Sequence, residues 1–196
     1  MFGEAAVVAA AYLLGTYPTA TLVATARGRD VLAEGSGNPG ATNVYRIAGA
    51  RAGGIVLVGD LVKGAAAATM GYLLGGRSLA LAAGAAAVVG HCFPATRRFR
   101  GGKGVATAGG MAIVLFPLVA SVLAVLWIVV TGALKKASLA SVLALVGLPL
   151  GVAASGRPGT EVAAIAAVAA LVVARHSRNI ARLVRGEEIE LRSPTR

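Results

Sequence analysis

Cysteine is almost missing from this chain. Its 196 residues include one, Cys92, which excludes an internal disulfide and a cysteine-rich metal site. Charge is scarce too, since Asp, Glu, Lys and Arg make up 14%, where a soluble domain carries about 25%. Two histidines and eight carboxylates, on separate stretches, make a poor metal-ligand set. The basic excess of +11 comes without zinc spacing or aromatic interleaving, so it does not describe a nucleic-acid surface. No basic segment precedes the first apolar stretch, and that stretch is expected to stay as a helix rather than be cleaved. What is plentiful is apolar: 57% of residues, with a mean hydropathy of +0.77. These are the proportions of a membrane protein, and residues 1–196 are expected to form a single domain.

A helix crosses a typical hydrocarbon core in about 20 residues. Seven apolar segments qualify, at roughly 4–26, 53–75, 78–96, 104–116, 118–134, 139–155 and 160–175. The fourth is short and Pro117 leaves it almost no loop to the fifth; fused, the two would give six spans. Lys and Arg accumulate in cytoplasmic loops, which decides between the counts. With seven spans and the N-terminus outside, sixteen of nineteen basic residues fall inside, in segments of about 27–52, 97–104, 135–138 and 175–196, with Arg192 and Arg196 among them. Arg77 and Arg157 stay outside and Lys63 lies within a helix. Six spans would move Lys135, Lys136 and the tail off the face that the bias demands. The expected fold is all-α, a polytopic bundle of seven transmembrane helices with a cytoplasmic C-terminus.

Three polar blocks then share the cytoplasmic face. The run from Gly35 to Asn43 matches G-x-G-x-x-G, but a dinucleotide loop needs a preceding strand, and the charged stretch 27–34 follows a membrane helix instead. It reads better as a nest, in which the amides of Gly37 and Gly40 join Ser36, Asn38, Thr42, Asn43 and nearby Arg46 in holding an anion. The plainer alternative is a turn with a helix N-cap at Asn38 or Thr42. In the second block, Gly101, Gly102, Lys103 and Gly104 resemble a Walker loop but lack its Ser or Thr, because Gly104 follows the lysine. Flexible donors and a lysine at a helix start still suit a phosphate. In the third block, His176, Asn179 and Arg182 lie near one helical face. Ser138 and Ser141, one turn apart, are candidates for the same pocket. Asp60 and Lys63 share a face inside the second span, either as a buried ion pair or as part of the site.

In order and spacing, these blocks resemble the bacterial membrane glycerol-3-phosphate acyltransferases that use acyl-phosphate as donor, the PlsY family. The resemblance rests on Gly-Ser-Gly-Asn-Pro-Gly-Ala-Thr-Asn-Val from Gly35, Gly-His-Cys-Phe-Pro from Gly90, Phe-Arg-Gly-Gly-Lys-Gly-Val-Ala-Thr from Phe99, and Arg-His-Ser-Arg-Asn-Ile-Ala-Arg-Leu from Arg175. Pro39 and Arg100 are mild departures. The resemblance implies seven membrane helices in the bacterial cytoplasmic membrane and a site facing the cytoplasm. It also implies transfer of a fatty acyl group to the 1-hydroxyl of glycerol 3-phosphate, giving lysophosphatidic acid and phosphate, the first acylation of phospholipid synthesis. Ser36, Lys103, His176 and Asn179 are then expected to act in catalysis. Gly37, Asn38, Gly40, Thr42, Asn43, Arg46, Gly101, Gly102, Gly104, Ser138 and Ser141 are expected to bind substrate. The partners are the two substrates and membrane lipid, with no cofactor, metal or nucleic acid, and a monomer suffices.

Two phosphates must be held. Lys103, Arg46 and the Gly101–Gly104 amides are expected to take one, and Ser36, Thr42, His176 and Asn179 the other, or the reverse. The His-x-x-x-x-Asp dyad of other acyltransferases is absent, because Thr96 and Ala181 stand where the acid would be. A phosphate monoester has a second pKa of about 6, so the substrate itself can accept the proton, with His176 positioning. Cys92 has no activating partner in sequence and is not expected to be a nucleophile. The rival reading is a transporter of an organic phosphate. Transporters place sites near the midplane in inverted repeats, whereas here the polar residues gather at one face.

Overall fold

The computed structural model describes residues 2–191. Among these residues the fold is all-helical. It comprises α1 (Phe2–Gly15), α2 (Thr19–Thr25), α3 (Ala41–Cys92), a 3-10 turn (Ala95–Arg97), α4 (Val105–Leu115), α5 (Pro117–Leu134), α6 (Ala137–Ala154), α7 (Gly159–Ala174) and α8 (Ser177–Val184). Arg192 and Arg196, counted above among the inside cations, lie outside the described residues.

Breaks in the helices follow from a few residues. Pro18 has no N–H to continue a helix, and α1 gives way to α2 across Thr16 to Pro18. Straight, the 52 residues of α3 would extend about 78 Å, far more than a bilayer core. Gly49 (φ 86°) and the Gly75–Gly76 pair (φ 73° at Gly76) divide it into legs of about 41–48, 50–74 and 77–92, using backbone that favours glycine. The second and third legs fall on the segments expected at 53–75 and 78–96. The short first leg was not expected: Thr42, Asn43 and Arg46 sit on a helix rather than in a loop. Its N-cap is Gly40, with no side-chain cap hydrogen bond, so neither Asn38 nor Thr42 fills that role.

The fourth and fifth expected segments are separate helices, because Phe116 is non-helical (φ −142°, ψ 60°) and Pro117 opens α5. The fused alternative does not occur. With 11 residues, α4 extends about 16 Å, too short to cross a core alone. It packs along the second leg of α3, where Gly64 faces Thr107 and Met111 while Gly110 faces Leu61 and Ala65. The small residues let the two backbones approach closely. By length and composition, α1 with α2, α3, α5 and α6 are each sufficient for a crossing, and α7 with α8 also passes as a pair bent by 63°. The outer surface is apolar, with Leu73 and Leu118 more than three-quarters exposed. Such a surface matches lipid rather than water.

At the C-terminal end of α4, Arg77 reaches across from α3. Its Nε and Nη2 donate to the Glu161 carboxylate at 2.6 and 2.9 Å, and Nη2 also donates to the Leu115 carbonyl at 3.0 Å. The guanidinium lies 4.9 Å from the centre of the Phe116 ring, and a cation over an aromatic face is favourable. Arg77 thereby ties together α3, the α4–α5 junction and the start of α7.

Candidate active site

A cavity of about 340 Å³ opens near the N-terminal end of α4. Its polar end is lined by Ser36, Asn38, Gly40, Thr42, Asn43, Arg46, Lys103, Gly104, His176 and Asn179, with Ser138 and Ser141 at the start of α6. The three polar blocks do meet. From there the cavity continues between α4, α5 and α6 along Ala112, Ile113, Ala120, Leu123, Trp127 and Leu148. One end can therefore hold an anion and the other a hydrocarbon chain.

The first loop is shaped by Asn43, which is buried. Its Oδ1 accepts from the Ser36 amide at 2.8 Å, and its Nδ2 donates to the carbonyls of Val31 and Glu34, both at 3.0 Å. These bonds fold the loop back on the helix and bring Ser36 to the cavity. Gly37 (φ 67°) turns the chain there, its amide donating to Glu34 at 3.1 Å rather than lining the cavity. In the second loop, Gly101 and Gly102 also lie behind the wall. Their carbonyls accept from Arg175 at 3.0 and 3.3 Å, and the Gly102 amide donates to the His91 carbonyl at 3.1 Å. Gly104 (φ 92°) then starts α4, so Lys103 stands at the mouth of a helix whose first amides favour an anion.

Lys103 donates to Asn179 Oδ1 at 2.5 Å, Asn179 Nδ2 donates to Glu188 Oε1 at 2.7 Å, and Arg182 Nε donates to Glu188 Oε2 at 2.9 Å. Arg46 donates to the carbonyls of Ile189 and Glu190 at 2.7 and 3.1 Å, and the Leu191 amide donates to Lys135 at 2.6 Å. The segment after α8 is thus a strap across the polar end. Sequence reasoning missed Glu188, whose carboxylate is almost fully buried. Its signal was an acid within the most basic stretch of the chain.

Burial pushes the Lys103 ammonium down to about 8, a fall that Glu188 limits and that Arg182, Arg46 and Arg175 increase. Burial also lowers Arg46, partly offset by Glu188. For Glu188, burial raises the carboxyl but is outweighed by hydrogen bonds from Arg182 and Asn179, so it sits below the usual range. The nearby Ser138 hydroxyl adds a smaller pull, at a geometry short of a formed hydrogen bond. Burial takes His176 down to about 4, against the opposing bond to Val172 and with the help of Lys103. Its Nδ1 lies 2.7 Å from the Val172 carbonyl and must carry the proton, which leaves Nε2 as an acceptor. Ser141 Oγ is engaged on both sides, donating to Ala137 at 2.8 Å and accepting from Trp127 Nε1 at 3.0 Å. It fixes the Trp127 indole, which lines the cavity.

The sequence matches the Glycerol-3-phosphate acyltransferase family over residues 5–186. It is 44% identical to a glycerol-3-phosphate acyltransferase of Rubrobacter xylanophilus, with 94% of each chain covered. It is also 44% identical to one of Geotalea daltonii, over 96% of this chain and 97% of that one. In three dimensions it is similar to crystal structures of PlsY, an integral membrane glycerol 3-phosphate acyltransferase. The glycerol 3-phosphate form superposes with a TM-score of 0.92 at 34% identity, covering 96% of this chain and 95% of that one. The lysophosphatidic acid form gives 0.88 at 35%, with the same coverage.

Proposed function

Since the chain belongs to the glycerol-3-phosphate acyltransferase family, we propose that its cavity transfers the acyl group of an acyl-phosphate to glycerol 3-phosphate and releases lysophosphatidic acid. The observation that carries this reading is one cavity with a cationic end and an apolar end. Both substrates bring a phosphate to the first, and the fatty chain occupies the second, where each buried methylene contributes about 0.8 kcal/mol. Residues 1–196 act as a single domain.

The 1-hydroxyl oxygen attacks the acyl carbon, the bond from that carbon to the phosphate oxygen breaks, and the leaving group departs as inorganic phosphate. The hydroxyl proton ends on a phosphate oxygen. Lys103 and Arg46, with the first amides of α4, hold one phosphate, while Ser36, Thr42 and Asn179 hold the other. With a pKa of about 4, His176 is neutral under working conditions and too weak a base to retain the proton. Its Nε2 instead accepts from and orients the attacking hydroxyl, and no acyl-enzyme forms. The Gly101 and Gly102 carbonyls, bonded to Arg175, keep the loop rigid.

Seven crossings, the short α4 completing its own together with the largely buried 101–104 loop ahead of it, with the N-terminus outside and the site on the cytoplasmic face of the bacterial cytoplasmic membrane, agree with the concentration of basic residues around the cavity. Purified protein in lipid nanodiscs, given palmitoyl-phosphate and glycerol 3-phosphate, should release phosphate and form lysophosphatidic acid. Inertness with that pair but turnover with an acyl thioester would overturn the donor assignment. Ser36→Ala should lower kcat/KM by about tenfold or more while the protein elutes and melts as the wild type does.

A further inference from the structure

Beneath the polar end lies a second buried cluster that the reaction above does not use. Asp60 and Lys63 on the second leg of α3 and His91 at the end of the third are each at least 94% buried. Lys63 Nζ lies 2.8 Å from Asp60 Oδ1, donates to the Tyr17 carbonyl at 2.8 Å, reaches the Gly15 carbonyl at 3.5 Å and stands 3.4 Å from His91 Nδ1. The two carbonyls belong to the break between α1 and α2, where helical bonding has lapsed.

An ammonium has three N–H donors and no acceptor. Two are directed at Asp60 and Tyr17, and the third is shared between the longer contacts to the Gly15 carbonyl and His91 Nδ1, which faces it as an acceptor. Asp60 Oδ1, at 3.8 Å from Nδ1, is too distant to take a proton from the ring by hydrogen bond. The ring's hydrogen is therefore on Nε2, and the position of Nε2 is informative. A Cβ on Gly102 would collide with it and would lie within 2.9 Å of the Pro39 carbonyl. Nε2 thus lies at the seam between the two glycine loops, and both Asp60 and His91 line the cavity. The two histidines of the chain consequently hold opposite tautomers: His176 offers an acceptor and His91 a donor.

We propose that His91 is a positioning residue for acyl transfer, its tautomer set by the Asp60–Lys63 pair, and that it locks the Gly101–Gly104 loop against the Gly35–Gly40 loop so that Lys103 is aimed at a substrate phosphate. The proposal rests on the phosphate-site reading above, but it reaches the reaction through loop geometry and not through contact with reacting atoms. It also explains why residue 102 must lack a side chain: the imidazole takes that space.

The chain's two histidines make the test direct. Protein labelled with 15N-histidine in nanodiscs should show an Nε2–H tautomer for the signal that persists in His176→Gln. In Lys63→Met that signal should move to a mixture containing Nδ1–H, and the KM for one phosphate-bearing substrate should rise by about tenfold, the loss of one buried hydrogen bond, with kcat little changed. Should Lys63→Met fail to fold because Asp60 is left unpaired, the Asp60→Asn, Lys63→Met double variant removes both charges and should give the same readings. His91→Gln, which keeps a donor near the Nε2 position, should retain more activity than His91→Asn, which does not. An Nδ1–H tautomer in the wild type, or an unchanged tautomer and KM in the lysine variants, overturns the proposal. The tautomer is read without turnover, so inertness toward acyl-phosphate would count against the donor assignment alone.

Discussion

At one end of α4, Arg77 meets Glu161 in a two-bonded pair, with a carbonyl and a ring completing its surroundings. At the other end, Lys103, Arg46 and Arg182 gather around the Glu188 carboxylate. The first arrangement is balanced, cation for anion, and holds helices together. The second has more positive than negative charge in a half-enclosed cavity, a condition that costs stability through burial and like-charge repulsion. The depressed pKa of Lys103 records that cost. On the proposed reading a dianionic substrate would relieve it, which makes the surplus a binding device.

The comparison predicts opposite consequences for removing a cation at each end. Lys103→Met should lower kcat/KM by about 10³, the scale of a lost charge-stabilising donor, measured by phosphate release, with the melting temperature in detergent held or raised. Next in size is the pH profile. Lys103 is charged below about 8, so kcat/KM should fall about tenfold per pH unit above that value, while Lys103→Arg should shift the fall upward. The sign for stability is the reverse. Between about 8 and 10.5 the unfolded lysine holds its proton and the folded one does not, so the fold gains stability as pH rises through that window.

Arg77→Met should do the opposite of Lys103→Met. It should cost about 2 kcal/mol, the worth of hydrogen bonds to charged groups, seen as a lower midpoint in thermal denaturation, with turnover within about twofold. A large loss of turnover there would break the distinction between the two ends. The smallest effect belongs to Cys92→Ala, at a fully buried thiol packed against Gly104. It should cost about 1 kcal/mol and leave phosphate release nearly unchanged. Abolished turnover in a folded protein would revive an acyl-thioester route.

The sequence carried much of this design. Apolar runs marked the helices, and charge counting both separated the fourth segment from the fifth, where Pro117 left almost no loop, and brought three polar blocks to one face. Glycine patterns marked the loops, but their division of labour was not legible. Gly104 and Ser36 reach the cavity, while Gly37, Gly101 and Gly102 serve the backbone behind it. Pairings across long separations were also invisible, because neither periodicity nor local propensity encodes them. Arg77 with Glu161, Glu188 with Asn179 and Lys63 with His91 exist only once the helices have packed. The leg 41–48 escaped notice because it is too short to show an apolar period.

The break between α1 and α2 bears on how the protein is made. Charged residues at a helix centre cost about 2.5–3.5 kcal/mol each during membrane insertion, and the leg 50–74 brings Asp60 and Lys63 together. The carbonyls that receive Lys63 lie at Gly15 and Tyr17, translated some 46 residues earlier. When the lysine leaves the ribosome its acceptors have already been synthesised, so the first hairpin can enter the bilayer as a matched pair, in the order of synthesis.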